Sequence, residues 1–286
     1  MPDAASISVL RDVATLTWIA LAIGVVAFRI WRVAKPVEAM EPRPGSWVDA
    51  SAFTSADGVV VAALSMILLY GLNGTAGPEA AQGEAVPDEL TVGALVANAV
   101  FMLTLWALLI GYLSFVRQLS VREVFGLTRM SVARAVGLGL MILIPVVLVV
   151  NASAYAVSGW LEQFWTGLEP QNTVQAFREN DQPGVRGMMV VFAVFIAPLV
   201  EETFFRGFIY PVFKKYTVGP YAAICSSLLF GLVHLHVGSL VPLVILALLL
   251  CRVYERTGSL IVPMVIHSGF NAISLIGLML LEDGSL

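Results

Sequence analysis

Apolar residues in this chain cluster into runs close to the roughly 20 residues that cross a bilayer as a helix. Eight such runs stand out, at 9–31, 57–73, 91–116, 135–157, 187–212, 220–237, 239–253 and 259–281. Apolar runs of this length read as membrane-spanning helices. The second and seventh runs are short, which fits tilted helices or helices enclosed by protein. Between them, 73–90 holds Gly, Pro and four acids with no Lys or Arg, and 158–186 is long and polar enough for an exposed loop or a short surface helix.

The basic residues give the runs an orientation. Thirteen of the 16 Lys and Arg fall in alternate connections: Arg29, Arg32, Lys35 and Arg43, then Arg117, Arg122, Arg129 and Arg134, then Arg206, Lys214 and Lys215, then Arg252 and Arg256. Only Arg11, Arg178 and Arg186 lie in the opposite set. Positive residues collect on the cytoplasmic side, so the asymmetry predicts eight spans with both termini outside. The N-terminus has no basic stretch ahead of its first apolar run, and that run is expected to be a retained helix.

Composition agrees with a lipid environment. Of 286 residues, 58% are hydrophobic and 13% charged, with a mean hydropathy of +0.87. A soluble domain carries about 25% charged residues. The expected fold class is all-α, a polytopic integral-membrane helical bundle. Residues 1–90 would supply two N-terminal spans and the acidic outer loop, and 91–286 the functional core. The net charge of −4, with no basic run, argues against nucleic acid as a partner. Cys225 and Cys251 lie in apolar stretches and read as small buried hydrophobes.

Against this background a few polar residues are costly. Glu201 and Glu202 sit in an apolar run, the second of them four residues ahead of Arg206, where a mid-bilayer charge costs about 2.5–3.5 kcal/mol on insertion scales. The three histidines all fall in the last third, as do Phe230 and Asn271. On a helix, residues four apart share a face, which pairs Glu202 with Arg206, Phe230 with His234, and His267 with Asn271. His234 and His236, two apart, point away from each other, and His236 reads as a helix–helix hydrogen-bonding residue. At about 1.5 Å per residue from the inner ends of their runs, Glu201 lies about 18 Å deep, His234 about 21 Å, His267 about 12 Å and Asn271 about 18 Å. Three helices thus deliver polar groups to similar depths, which argues for one site.

Glu202 and Arg206 read as a structural ion pair. Arg206 neutralises one acid only, which leaves Glu201 protonated or hydrogen-bonded to histidine or water. A carboxyl group held beside imidazoles can serve as general base for water. A proton-coupled transporter also places acids and histidines at mid-depth, but it commonly shows repeats and broken helices in both halves.

The ordered set Glu-Glu-x-x-x-Arg (Glu201, Glu202, Arg206), Phe-x-x-x-His (Phe230, His234) and His-x-x-x-Asn (His267, Asn271) resembles the CPBP family. That family holds type II CAAX prenyl endopeptidases and bacteriocin-processing or Abi-type membrane proteins. The resemblance covers roughly residues 120–281. It implies a bacterial plasma-membrane protease acting on a membrane-associated protein or peptide, with its site reached from the cytosol. It also implies Glu201 as the base for water, His234 as its helper, His267 and Asn271 on the oxyanion, and Glu202 and Arg206 as supports. Zinc held by Glu201, His234 and His267 is the metal-dependent alternative, and a metal-free site is favoured. A non-catalytic scaffold or immunity protein of the same fold is the competing function.

Overall fold

The computed structural model describes residues 47–71, 91–161, 163, 171–234 and 236–282. The first apolar run and the whole of the acidic 73–90 connection fall outside them. The described residues form nine helices and no strand: α1 (Ser55–Gly71), α2 (Val92–Gly111), α3 (Val121–Val124), α4 (Val132–Leu161), α5 (Asn172–Glu179), α6 (spanning Pro183–Tyr216), α7 (Gly219–Leu232), α8 (Val237–Thr257) and α9 (Ile261–Glu282). Five helical segments are long and apolar enough to cross a membrane: Val92–Val116, Val132–Trp160, Pro183–Tyr216, Val237–Thr257 and Ile261–Leu280. The chain is a polytopic helical membrane protein. Lipid accounts for its outer surface, where Leu108, Phe115, Ile144, Leu148 and Phe195 stand exposed in a density of apolar side chains that water would penalise.

Two boundaries differ from the hydrophobic pattern. The run at 220–237 stops as a helix at Leu232, and the run at 239–253 becomes the longer α8. The cause is local. The His236 ring accepts the Ser239 N–H at 3.1 Å and caps α8, so the backbone must leave helical geometry just before it. Helix α7, with 14 residues, is about 21 Å long and falls short of a hydrocarbon core of about 30 Å. It is shielded by protein instead, packed between α6 and α8, and its Leu229 and Phe230 are buried.

Helix α6 runs through the middle of the bundle and is not a uniform α-helix. It widens into π turns at Phe192–Ile196 and at Thr203–Ile209. Each widening runs up to a proline at the second position of the next α segment, Pro198 or Pro211. Proline has no N–H, and its ring crowds the carbonyl four residues back; a wider turn relieves the crowding. All seven residues of the second π segment are buried, with Phe204, Phe205 and Phe208 at the centre of the main apolar cluster.

One end of the bundle gathers the basic connections. Segment 47–54 lies across it: Trp47 N–H donates to Glu255 O at 3.1 Å, and Lys214 and Lys215 donate to Val48 O and Ser51 O at 2.8 and 3.0 Å. Arg117 donates to Ala52 O at 3.0 Å and pairs with the buried Asp57. Asp57 in turn accepts from Tyr112 at 2.8 Å and from Thr54 N–H at 2.6 Å, which caps α1. Beside it Leu260 N–H donates to Phe125 O at 3.0 Å, and Gly126 (φ +62°) passes so close to Gly258 O that any Cβ there would collide with it.

Candidate active site

Three helices deliver the site. Helix α6 carries Glu201, Glu202 and Arg206, α7 ends in Phe230 and the turn holding His234, and α9 carries His267 and Asn271. Arg206 is 1% and Glu202 0% exposed. The Arg206 guanidinium donates to Glu202 Oε1 at 2.8 Å and to Ala247 O of α8 at 3.2 Å, and its Cζ stands 4.7 Å from the centre of the Phe230 ring. A charge this buried holds only with such partners.

His267 bridges the two acids. Its Nδ1 lies 2.8 Å from Glu202 Oε1, and its Nε2 is 3.8 Å from Glu201 Oε2. A carboxylate paired to arginine can only accept, so Nδ1 carries the proton and donates. In the neutral ring Nε2 is then a bare acceptor aimed at Glu201. Glu201 is the more open acid, with 19% of its side chain exposed.

His234 is fixed in the same tautomer by a different group. Its Nδ1 lies 2.7 Å from Phe230 O, an acceptor only, so Nδ1–H donates, which leaves Nε2 the acceptor of the neutral ring. His236 has the opposite arrangement: it accepts at Nδ1 from Ser239 N–H. That separates a capping histidine from the two whose Nδ1–H is committed to an acceptor in the protein. The Phe230 ring joins the parts, with its centre 4.8 Å from the His234 ring, 5.8 Å from the His267 ring and 5.1 Å from Phe205.

Asn271 donates from Nδ2 to Ala193 O at 2.8 Å. This acceptor is free because of the first π turn. The Ala197 N–H reaches back five residues to Phe192 O, and the next residue, Pro198, has no N–H to give Ala193. One amide hydrogen of Asn271 is therefore committed to α6, and its second hydrogen is available to a substrate group.

Several contributors were invisible to spacing arguments. Trp106 of α2 donates to Thr203 Oγ1 at 3.2 Å, beside Glu202, and Ala247 and Ala193 act through backbone carbonyls. A proline inside an apolar run is the one sequence signal for a freed carbonyl, and Pro198 supplied it. Among the described residues no group of three or more His, Cys, Asp or Glu side chains could hold a metal ion, whereas a catalytic zinc needs three converging protein ligands. Cys225 and Cys251 are buried free thiols.

Residues 184–273, from the start of α6 to within α9, match the family of type II CAAX prenyl endopeptidase Rce1-like proteins. All three motifs fall inside the match, which supports the CPBP/CAAX protease family and a membrane protease. Neither a curated protein nor a solved structure matches the chain.

Proposed function

We propose that the chain is an intramembrane endopeptidase that hydrolyses peptide bonds of membrane-associated proteins or peptides, in CAAX-type or bacteriocin-type processing, with Glu201 as the base for water. The observation that carries this reading is the 3.8 Å gap between Glu201 Oε2 and His267 Nε2. With the carboxylate ionised and the ring neutral both atoms accept, and a single water can donate one hydrogen to each. With hydrogen bonds of about 2.8 Å to both, the acceptor–water–acceptor angle is about 85°. The water's lone pairs then face away from both groups, towards a carbonyl carbon.

The step balances within the site. The water oxygen bonds to the peptide carbonyl carbon while its proton passes to Glu201, and the carbonyl oxygen becomes an oxyanion. Collapse breaks the C–N bond, and Glu201 returns the proton to the leaving nitrogen. The free amide hydrogen of Asn271 is the donor for the oxyanion. The resemblance gives His267 to the oxyanion as well; its contacts favour holding the water. His234, an acceptor at Nε2, suits the water-holding role that the resemblance assigns to it. Glu202 and Arg206 fix the His267 tautomer. No metal is required by these steps, and the basic end of the bundle supports access from the cytosol with both termini outside.

The test compares membrane peptides in cells carrying the wild-type protein or Glu201→Gln. A precursor should accumulate uncut only with the variant, and the purified wild-type protein should cut it at an undiminished rate after chelation. Cleavage by purified Glu201→Gln at the wild-type rate would sink the mechanism, and zinc-dependent activity would sink its metal-free part.

A further inference from the structure

Helix α9 is held against α6 at two levels. One turn apart, His267 meets Glu202 at 2.8 Å and Asn271 meets Ala193 O at 2.8 Å. The first contact is part of the chemistry just described. The second is made between a side-chain amide and a backbone carbonyl that an unbroken α-helix would never offer, because residue 197 would take it.

We infer that Pro198 is a positioning residue: by withholding an N–H it keeps Ala193 O for Asn271, and that contact sets the register of α9 in which His267 lies on Glu202 and faces Glu201. Three observations converge on this. The Ala197 N–H goes to Phe192 O, which removes the usual donor. The residue five beyond Ala193, which a π turn would use, is a proline. The amide of Asn271 reaches the orphaned carbonyl at 2.8 Å, and in a membrane-spanning helix a carbonyl without a backbone donor is satisfied by such a side chain. The gap between Glu201 and His267 is 3.8 Å; slippage of α9 by one residue rise, about 1.5 Å, along that line would widen it to about 5.3 Å, close to the limit of about 5.6 Å at which one water still reaches both atoms.

The inference deepens the proposed mechanism and rests on it for its consequence in catalysis, but its structural core can be tested without any substrate. In Pro198→Ala the new N–H at this position competes for Ala193 O. The experiment is a double-mutant cycle in melting temperature on the full-length protein in detergent, with Asn271→Ala in the wild-type and Pro198→Ala backgrounds. Asn271→Ala should lower the melting temperature when Pro198 is present. It should have little effect in the Pro198→Ala background, where the new N–H can satisfy the carbonyl. An equal loss in both backgrounds overturns the inference.

A second measurement covers the case in which Pro198→Ala fails to fold, and it reads position as distinct from stability. With only three histidines in the chain, ring ¹⁵N spectra resolve His267 by subtraction of a His267→Gln sample. In Asn271→Ala the His267 ring signals should move, with those of His236 unchanged. Unmoved His267 signals would show that the contact does not set its register, whatever the protein cleaves. If register is set this way, the precursor identified with Glu201→Gln should be cut by Pro198→Ala at least tenfold more slowly at saturation, with little change in KM. A wild-type turnover number would overturn the catalytic consequence.

Discussion

Removal of the Arg206 charge should be severe, and its partner should be able to undo most of the damage. Arg206→Met keeps the volume but strips Glu202, which is fully buried, of its 2.8 Å ion pair. Leaving one member of a buried pair uncompensated costs about 3–5 kcal/mol. The lower part of that range applies here: Glu202 Oε2 and Arg206 Nε have no hydrogen-bond partner among the described residues, and His267 still donates to Glu202. At about 2–4 °C per kcal/mol for a chain of this order of size, the melting temperature should fall by roughly 6–15 °C. Cys225 and Cys251, each 1% exposed, make the assay: a fluorogenic maleimide labels them only as the bundle opens. The double variant Glu202→Leu/Arg206→Met buries no charge and should recover most of the lost stability, because apolar replacement of a buried pair is often neutral. It should not recover activity, since the His267 Nδ1–H then has no acceptor. A single variant that melts within 2 °C of wild type, or a double variant that melts at the sum of the two single losses, would refute the reasoning.

Other changes separate chemistry from scaffold. Glu201→Gln should leave the melting temperature within about 2 °C of wild type, since the side chain is partly exposed and its 3.8 Å approach to His267 is too long for a hydrogen bond, while cleavage is lost. Gly269→Ala would set a Cβ 2.5 Å from Leu143 Cδ2, and overpacking of that kind at the α4–α9 contact should cost about 1–3 kcal/mol, read in the same thiol assay. Asp57→Ala removes the acceptor of Arg117, Tyr112 and the Thr54 N–H. Limited proteolysis should then cut within 47–54 faster than in wild type, and an unchanged rate would mean that this cluster does not hold the segment.

The helical membrane architecture was legible because lipid leaves little choice: a long apolar run must satisfy its own backbone, and a helix is the way to do so. Boundaries were less legible where a polar side chain competed with the apolar run. The run at 220–237 reads as helix to its end, but the ring of His236 takes a backbone N–H, so α7 stops at Leu232 and α8 starts early, at Val237. The grouping of Glu202, Arg206, Phe230 and His267 could be anticipated, since a charge in lipid demands partners at its own depth and the chain offers few. Which acid meets which ring could not, because hydrogen-bond direction depends on side-chain placement that spacing alone does not fix.

Asn271 shows why part of the site stayed hidden. As a residue type it reads equally as an oxyanion donor or as interhelical glue, and its spacing from His267 says only that the two share a face of α9. Its partner is a main-chain atom of Ala193, made available by the shape of another helix and not by the identity of residue 193. That shape traces to Pro198, the residue that cannot donate, and its effect appears five residues upstream. An amide needs only one hydrogen to be anchored and keeps one for a ligand. Glue and donor are therefore compatible: the contact that fixes Asn271 on α6 also fixes the direction of its remaining hydrogen, and under the proposed mechanism a donor aimed before the reaction loses nothing to reorganisation when an oxyanion forms.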